Sequence, residues 1–332
     1  MVIQQENKLI VINCARMNLE DKHMDQHKEK SNTRKPNRLG FGAWQLGNPL
    51  WNGMSEEEGI SLVQEAIQSG INFFDTAPGY GAGLSERILG KAIQGKRSEV
   101  FLNSKIGHLA DGSSNFDEYS LESQIKASLE RLQTTYLDSV LLHNPPRHIL
   151  EGKTNHFQVL KSLKDKGLIR AYGVSIDTYE EMDIVLKKID VDVIEILFNI
   201  FFQGPKFLFK KAHDKGISLI AKVPLDSGWL TGKYHEYSTF TGIRNRWSKE
   251  VIYRRGTLIS NVKKIVQDDD ITKYAISFIL SFPEITCVIP GIQNTSQLRE
   301  HITNSNYALP INVKNQFIEL YERDIEPNPL PW

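Results

Sequence analysis

Short apolar segments alternate with helix-like segments from residue 39 to residue 301 of the chain. The apolar segments are nearly continuous runs, which is typical of strands covered on both faces. The strand–helix unit occurs eight times, and that number predicts a closed (β/α)8 barrel, or TIM barrel, and not an open doubly wound α/β sheet. The eight predicted strands are residues 39–45, 71–77, 99–107, 137–144, 171–176, 191–199, 218–225 and 286–291.

Two segments fall outside this alternation. Residues 1–36 contain a possible strand pair around Leu9–Ile12 and then a long charged run. We expect an N-terminal extension there, partly flexible or forming a hairpin at the bottom of the barrel, and a single barrel domain over residues 37–332. Residues 226–256 predict a long loop after the seventh strand. Because long loops in compact domains are usually functional, we expect this one to lie over the barrel mouth.

Charge and composition argue against several classes of function. Lys plus Arg and Asp plus Glu are equal at 40 each, so no net field attracts nucleic acid or an anionic membrane. No apolar run approaches the roughly 20 residues that span a bilayer. Cys14 and Cys287 are too far apart to suggest a disulfide framework or a metal site. We therefore expect a cytoplasmic protein with a small-molecule partner, no bound metal and an undetermined oligomeric state.

Polar residues stand at the ends of several predicted strands. Asp75 ends the second strand, Lys105 lies in the third, His143 in the fourth and Ser175 in the fifth. In a barrel, the carboxyl ends of the strands surround one shared mouth, where catalytic residues collect. Tyr80 lies on the glycine-rich loop that follows Asp75. The sequence therefore predicts a carboxylate, an amine, an imidazole and a phenol in one pocket.

This set of side chains suits the chemistry of a carbonyl group. A tyrosine with a pKa of about 10 is a poor proton donor at neutral pH, and a nearby ammonium should lower that pKa. Asp75 would keep Lys105 charged, and His143 would offer a hydrogen bond to a carbonyl oxygen. Each residue alone has a structural explanation, such as a turn former or an ion pair. Their occurrence together at successive strand ends favours a catalytic site.

At these residues the sequence resembles the aldo-keto reductase family, in its bacterial branch. GINFFDTAPGYGAGLSERILGKAI resembles the first family signature, and FLNSKIG and LDSVLLHNP resemble the segments that carry the family lysine and histidine. The resemblance covers roughly residues 38 to 325. It implies an NAD(P)H-dependent oxidoreductase that reduces an aldehyde or ketone, with a sugar-derived carbonyl as one candidate. Tyr80 would be the general acid, Lys105 and Asp75 would tune it, and His143 would orient the carbonyl.

The resemblance also implies a set of cofactor-binding and substrate-binding residues. The resemblance favours NADP(H) as the cofactor. NAD(H) stays open, because the loop at residues 290–297 contains no cation, and the first one after it is Arg299. The substrate would contact Tyr80 and His143. A wall beside it would be formed by three tryptophans, Trp51, Trp229 and Trp247. The implied cofactor-binding residues are Gly42, Ala43, Trp44, Asp75, Ser175, Glu195, Lys222, Pro224, Leu225, Gly228, Leu230, Gly232, Lys233, Pro290, Gly291, Gln293, Gln297 and His301.

Three residues depart from the family pattern, all in the region expected to hold the nicotinamide ring. Ile176 stands where the family has Asn, Glu195 where it has Gln, and Lys222 where it commonly has Tyr. We expect Lys222 and Glu195 to pair with each other. Two other functions stay open: a Schiff-base aldolase that uses a buried lysine, and a cofactor-binding regulatory subunit with little turnover.

Overall fold

A closed barrel of eight parallel strands forms the centre of the molecule, as the alternation predicts. The computed structural model describes residues 35–49 and 54–331. Each strand pairs with its sequence neighbours in the order β1 to β8. The strands are β1 (Phe41–Gly42), β2 (Phe73–Asp75), β3 (Phe101–Ile106), β4 (Ser139–His143), β5 (Tyr172–Ile176), β6 (Val193–Leu197), β7 (Ser218–Lys222) and β8 (Ile285–Val288).

The barrel closes where the first strand meets the last. The N–H of Gly40 donates to the carbonyl of Val288 over 2.8 Å, and the N–H of Gly42 donates to the carbonyl of Pro290 over 2.9 Å. These bonds accompany two parallel bridges, Leu39 with Val288 and Gly42 with Gly291, which join β1 and the residues before it to β8 and the residues after it. Closure leaves no free sheet edge in the barrel.

Helices surround the barrel and cover the outer face of its sheet. Helix α1 begins after Ser55, whose side chain accepts the N–H of Glu58 while the Glu58 carboxylate accepts the N–H of Ser55. The helices are α1 (Glu56–Gln68), α2 (Leu84–Ala92), α3 (Leu121–Arg131), α4 (Arg147–Leu150), α5 (His156–Asp165), α6 (Tyr179–Lys188), α7 (Phe209–Asp214), α8 (Lys249–Val266), α9 (Thr272–Leu280), α10 (Thr295–Ser305) and α11 (Ile311–Asp324).

The interior of the barrel changes from apolar to polar along the strands. Side chains two residues apart on a strand point to the same face. An apolar cluster that includes Phe73, Leu141 and Val193 fills the lower part. Asp75, His143 and Glu195 lie two residues further along the same strands. Their side chains therefore face the same interior, at its upper end.

Several predicted elements differ in extent from the observed ones. The predicted strand 39–45 continues as a 3-10 turn over Ala43–Gln45. The helix that the alternation predicts after the sixth strand begins as a 3-10 helix over Gly204–Leu208, where Pro205 has no N–H to donate. The predicted loop 226–256 ends at Lys249, where α8 begins. The sequence analysis also missed α4, α9 and α11.

The N-terminal predictions lie outside the described residues. These include the strand pair around Leu9–Ile12, Cys14 and most of the extension over residues 1–36, so the domain boundary stays a prediction. Trp51 also lies outside them. Within residues 35–49 and 54–331, none of the helices is long and apolar enough to cross a membrane.

Replacement of Gly173 by alanine tests the close approach of β5 to β6. A Cβ at Gly173 would lie 1.7 Å from the carbonyl oxygen of Val193, a backbone atom that cannot move without breaking the sheet. We expect Gly173→Ala to lower the free energy of unfolding by about 3 kcal/mol or more, measured by urea denaturation. Gly204→Ala is the control, because a Cβ there would meet its nearest atoms at 3.7 Å. Equal stability of the two variants would contradict this packing.

Candidate active site

The upper end of the barrel brings the predicted catalytic residues together. Strand register places Asp75 opposite Asn103 and His143 opposite Ser175. Asp75 and Lys105, which lie on neighbouring strands, point into the same interior. Tyr80 reaches the same place from the loop after β2, which turns back at Gly81 and Gly83 with φ of 56° and 81°. Glycine favours these left-handed conformations because it has no Cβ.

Lys105 is completely buried and lies between two carboxylates. Its Nζ is 2.6 Å from each carboxylate oxygen of Asp75 and 3.4 Å from Oε2 of Glu195. The side chain of Asn103 donates a further hydrogen bond of 2.7 Å to Asp75. Burial of an isolated ammonium is costly, so these partners make the position of Lys105 possible.

The charges of this cluster shift one another's pKa values. Burial by itself lowers the pKa of Lys105, but Asp75 and Glu195 outweigh it and raise that pKa above its usual range. The pKa of Asp75 is raised to about 7, mainly by burial and to a smaller extent by the negative charge of Glu195. Burial also pushes the pKa of Glu195 upwards, yet Lys105 and Lys222 lower it overall. Two carboxylates therefore share one ammonium and titrate as a pair.

Tyr80 and His143 are both uncharged at neutral pH. Burial raises the pKa of Tyr80, and the opposing effect of Lys105 is smaller, so the predicted lowering of this pKa is wrong in net direction. Burial, aided by Lys105, holds the pKa of His143 well below its usual range. The two rings meet edge to face with centroids 6.3 Å apart. A protonated phenol and a neutral imidazole N–H are both available as hydrogen-bond donors.

Lys222 does not pair directly with Glu195, contrary to the prediction. Its Nζ lies 2.8 Å from the Asp177 carboxylate and 2.8 Å from the Ser175 hydroxyl. That hydroxyl donates in turn to Oε1 of Glu195 over 2.9 Å. Ser175 therefore links Lys222 to Glu195. The Asp177 carboxylate, on the loop after β5, binds Lys222 in place of Glu195. The family pattern did not reveal this competition.

A cavity of about 440 Å³ opens at this end of the barrel. Tyr80 and His143 line it, whereas Lys105 lies buried beneath it. The predicted cofactor-binding residues that also line it are Gly42, Trp44, Asp75, Glu195, Lys222, Pro224, Leu225, Gly228, Lys233, Gly291, Gln293, Gln297 and His301.

Other predicted site residues do not line this cavity. Ala43 and Leu230 are fully buried, and the carbonyl of Pro290 accepts the N–H of Gly42 at the barrel seam. The hydroxyl of Ser175 is occupied by Glu195 and Lys222. Gly232 ends the 3-10 segment Asp226–Thr231.

The predicted tryptophan wall is also wrong for the two tryptophans that the structure describes. Trp229 is completely buried, and its ring centroid lies 5.4 Å from that of Tyr234 and 5.9 Å from that of Trp247. These rings and Phe240 form the apolar core of the segment that follows β7. A loop of this length must bury its own aromatic residues, so they are unavailable to the cavity.

The segment after β7 also contains site residues that the sequence analysis missed. Val223, Asp226 and Ser227 adopt positive φ values of 54°, 45° and 55°. Such a conformation is rare for a β-branched residue, and no sequence signal announces it. Buried Arg255 of α8 forms an ion pair with Asp226 and so attaches this segment to the helix. The missed residues that line the cavity are Gln45, Val223, Ser227, Thr231, Arg244, Asp270, Thr272, Ile289 and Glu300.

The lining of the cavity fits a nicotinamide dinucleotide. Lys233 and Arg244 line it and supply the positive charge that a pyrophosphate needs. The buried atoms Nδ1 of His143 and Oε1 of Gln45 have no hydrogen-bond partner among the described residues. Such atoms in a cavity are expected to bind a ligand or water. Within that part of the chain, no cluster of His, Cys, Asp and Glu side chains could hold a metal ion.

A barrel with these groups at its mouth belongs to the class of nicotinamide-dependent carbonyl oxidoreductases. Comparison with known proteins agrees: the chain belongs to the aldo/keto reductase family, whose family model matches residues 38–322. It is therefore an NAD(P)H-dependent oxidoreductase that reduces carbonyl groups.

Two relatives and one solved structure illustrate the similarity. Aldo-keto reductase YhdN of Bacillus subtilis is 31% identical over 79% of this chain and 82% of its own length. The NADH-specific methylglyoxal reductase of Escherichia coli is 28% identical over 82% of this chain and 90% of its own. The holo form of aldo-keto reductase AKR11C1 from Bacillus halodurans superposes with a TM-score of 0.72 at 23% identity, over 85% of this chain and 91% of that one.

Removal of the ammonium beneath the cavity should destabilise the protein in a pH-dependent manner. Lys105→Met leaves Asp75 and Glu195 buried together, so at pH 8 we expect a loss of about 3 kcal/mol or more in the free energy of unfolding. Both carboxylates then have raised pKa values in the folded state, so the variant loses stability as pH rises above the unfolded pKa of about 4. The loss should therefore be smaller at pH 5, by urea denaturation.

The control for this experiment is Lys91→Met. Lys91 forms an ion pair with Glu56 at the surface, where its side chain is 50% exposed. Exposed pairs contribute roughly 0–1 kcal/mol, so we expect a small, pH-insensitive effect. A Lys105→Met variant as stable at pH 8 as at pH 5 would contradict the assigned charges.

Proposed function

We propose that Tyr80 is the general acid of an aldehyde or ketone reduction in this cavity. The observation that carries the proposal is the contact of a cavity-lining phenol with a buried ammonium, since Lys105 Nζ lies 5.3 Å from the centre of the Tyr80 ring. The bound cofactor would supply the hydride that reaches the carbonyl carbon. Tyr80 would donate its proton to the carbonyl oxygen, and the Lys105 ammonium would stabilise the tyrosinate that results.

His143 and Asp75 would have supporting roles in this reaction. The neutral imidazole of His143 would donate a hydrogen bond to the carbonyl oxygen and so align it with Tyr80. Asp75 would hold Lys105 in place through its two contacts of 2.6 Å. Trp44, whose ring centroid lies 6.3 Å from that of Tyr80, would border the substrate and could stack on a sugar-derived carbonyl compound.

The charge of Lys105 argues against a Schiff-base aldolase. A lysine attacks a carbonyl carbon only as a neutral amine. Asp75 and Glu195 raise the pKa of Lys105, so its amine stays protonated, and its side chain is completely buried. A regulatory subunit with little turnover is disfavoured because all four proposed catalytic groups are present. A cytoplasmic location, without nucleic-acid or membrane partners, stays a prediction from composition.

Tyr80→Phe tests the proposed general acid. The substitution removes one hydroxyl and keeps the ring, so we expect reduction of aldehydes to slow by at least about 100-fold. Cofactor affinity, measured by fluorescence titration, should change little. Tyr119→Phe is the control, because Tyr119 is 88% exposed on the surface. Turnover of Tyr80→Phe near that of the wild type would refute the assignment.

The coenzyme preference should be weak. Arg299 is bound to Glu65 at 2.9 Å, and the N–H groups of Gln293 and Gln297 are taken by the side chains of Gln297 and Asn294. The cavity wall nearby carries the carboxylate of Glu300. A 2′-phosphate would therefore find few partners there. One similar relative is named an NADH-specific reductase, which supports use of NADH as well.

We expect NADPH and NADH to differ by less than tenfold in kcat/KM, or about 1.4 kcal/mol. Gln293→Arg adds a cation at the cavity and should shift the preference towards NADPH. Gln94→Arg, which adds the same charge on an exposed position outside the barrel mouth, should not. A thousandfold preference in the wild type, in either direction, would show that this loop has been misinterpreted.

A further inference from the structure

The floor of the cavity contains more negative than positive charge. Among the described residues, two ammonium groups lie there, those of Lys105 and Lys222, and three carboxylates contact them. Asp75 lies 2.6 Å from Lys105, Asp177 lies 2.8 Å from Lys222, and Glu195 lies 3.4 Å from Lys105. When all five groups are ionised, one negative charge is left over.

The excess charge is best assigned to Glu195. Asp75 receives two contacts of 2.6 Å from Lys105 and one of 2.7 Å from Asn103, and Lys222 is directed to Asp177 and Ser175. Glu195 accepts the Ser175 hydroxyl over 2.9 Å, and its contacts with Lys105 and with the side-chain amide of Asn103 are longer, at 3.4 Å each. Its side chain is almost fully buried, yet it lines the cavity. A charge in that position acts through a medium of low dielectric constant.

A hydride donor that serves a carbonyl held by Tyr80 and His143 would lie near that charge, because Glu195 lines the same cavity as both residues. Hydride transfer needs the donor within roughly 3–3.5 Å of the carbonyl carbon, whose oxygen would contact Tyr80 and His143. The hydride carries two electrons from the reduced cofactor to the carbonyl carbon, and Tyr80 supplies the proton to the oxygen. The nicotinamide ring is neutral before the transfer and positively charged after it. At an effective dielectric constant of about 20, a carboxylate within roughly 6 Å would favour the charged, oxidised ring over the neutral, reduced ring by more than tenfold.

We propose that the Glu195 carboxylate stabilises the positive charge that the nicotinamide ring gains when it loses a hydride. Glu195 thereby makes the protein bind the oxidised cofactor more tightly than the reduced one and favours hydride departure towards the carbonyl. This inference rests on the proposed function, because it requires the cofactor to bind at the same floor as Tyr80. It assigns Glu195 an electrostatic role distinct from acid–base chemistry.

The proposal also predicts how the preference depends on pH. In the described part of the chain, the titratable groups that face Glu195 are Asp75, Lys105, Lys222 and Tyr80. Of these, Asp75 changes charge nearest neutrality, with a pKa raised to about 7 by burial and by Glu195. Below that pH a proton on Asp75 removes the excess charge, so the preference for oxidised cofactor should grow as pH rises from 6 to 8.5.

The test measures binding and does not depend on turnover. Dissociation constants of NADP+, NADPH, NAD+ and NADH are measured by calorimetric titration at pH 8 for the wild type and Glu195→Gln. For each coenzyme, the Kd of the reduced form is divided by the Kd of the oxidised form. We expect this ratio to fall at least about tenfold in Glu195→Gln, which keeps the shape of the side chain and removes its charge.

The matched control is Glu300→Gln, which removes a carboxylate from α10 at the wall of the same cavity. Glu300 should affect both redox forms equally, so its ratio should stay within about twofold of the wild type. An unchanged ratio in Glu195→Gln would overturn the proposal while leaving carbonyl reduction intact. Failure of the wild type to bind any of the four nucleotides would instead refute the proposed function.

The pH series on the wild-type protein gives a second test that does not require a folded variant. The ratio of the two Kd values should increase from pH 6 to pH 8.5, with its midpoint near 7. A ratio that is constant over this range, or that decreases, would overturn the proposal even if Glu195→Gln cannot be purified.

Discussion

The contact between the Lys105 ammonium and the carboxylates of Asp75 and Glu195 determines how the barrel mouth is built. The Lys105 side chain is fully buried, and the two carboxylates come from β2 and β6. A buried ammonium without such partners would be strongly unfavourable. Closure of the barrel supplies them, because alternate residues of successive strands face a common interior. The ion cluster and the closed sheet therefore depend on each other.

This cluster also determines what the groups above it can do. Because Asp75 and Glu195 keep Lys105 protonated, the proposed role of the lysine is electrostatic and not nucleophilic. The same charge helps to keep His143 neutral, while burial keeps Tyr80 protonated. The result is a site with two neutral donors above one fixed cation, which suits the polarisation and protonation of a carbonyl oxygen. Glu195 adds a negative charge that the resemblance to the family did not suggest.

Much of this arrangement follows from local sequence patterns, and the remainder from tertiary contacts. The apolar runs predict the strands, and their carboxyl ends predict the convergence of Asp75, Lys105 and His143. The link that Ser175 forms between Lys222 and Glu195 could not be predicted, because it depends on which carboxylate pairs with Lys222. Trp229 was misplaced because an aromatic residue in a long loop can face the cavity or the loop's own core. The positive φ of Val223 has no sequence signature at all.

The most direct test of this account is a titration of the Asp and Glu carboxyl carbons by NMR, on protein labelled with carbon-13 at those positions. Asp75 and Glu195 share one ammonium, so one carboxyl resonance should titrate near pH 7, the raised pKa of Asp75. In Glu195→Gln that titration should move to lower pH, because a neutral amide no longer opposes ionisation of Asp75. If every carboxyl of the wild-type protein titrates below pH 5, the shared-ammonium cluster is wrong.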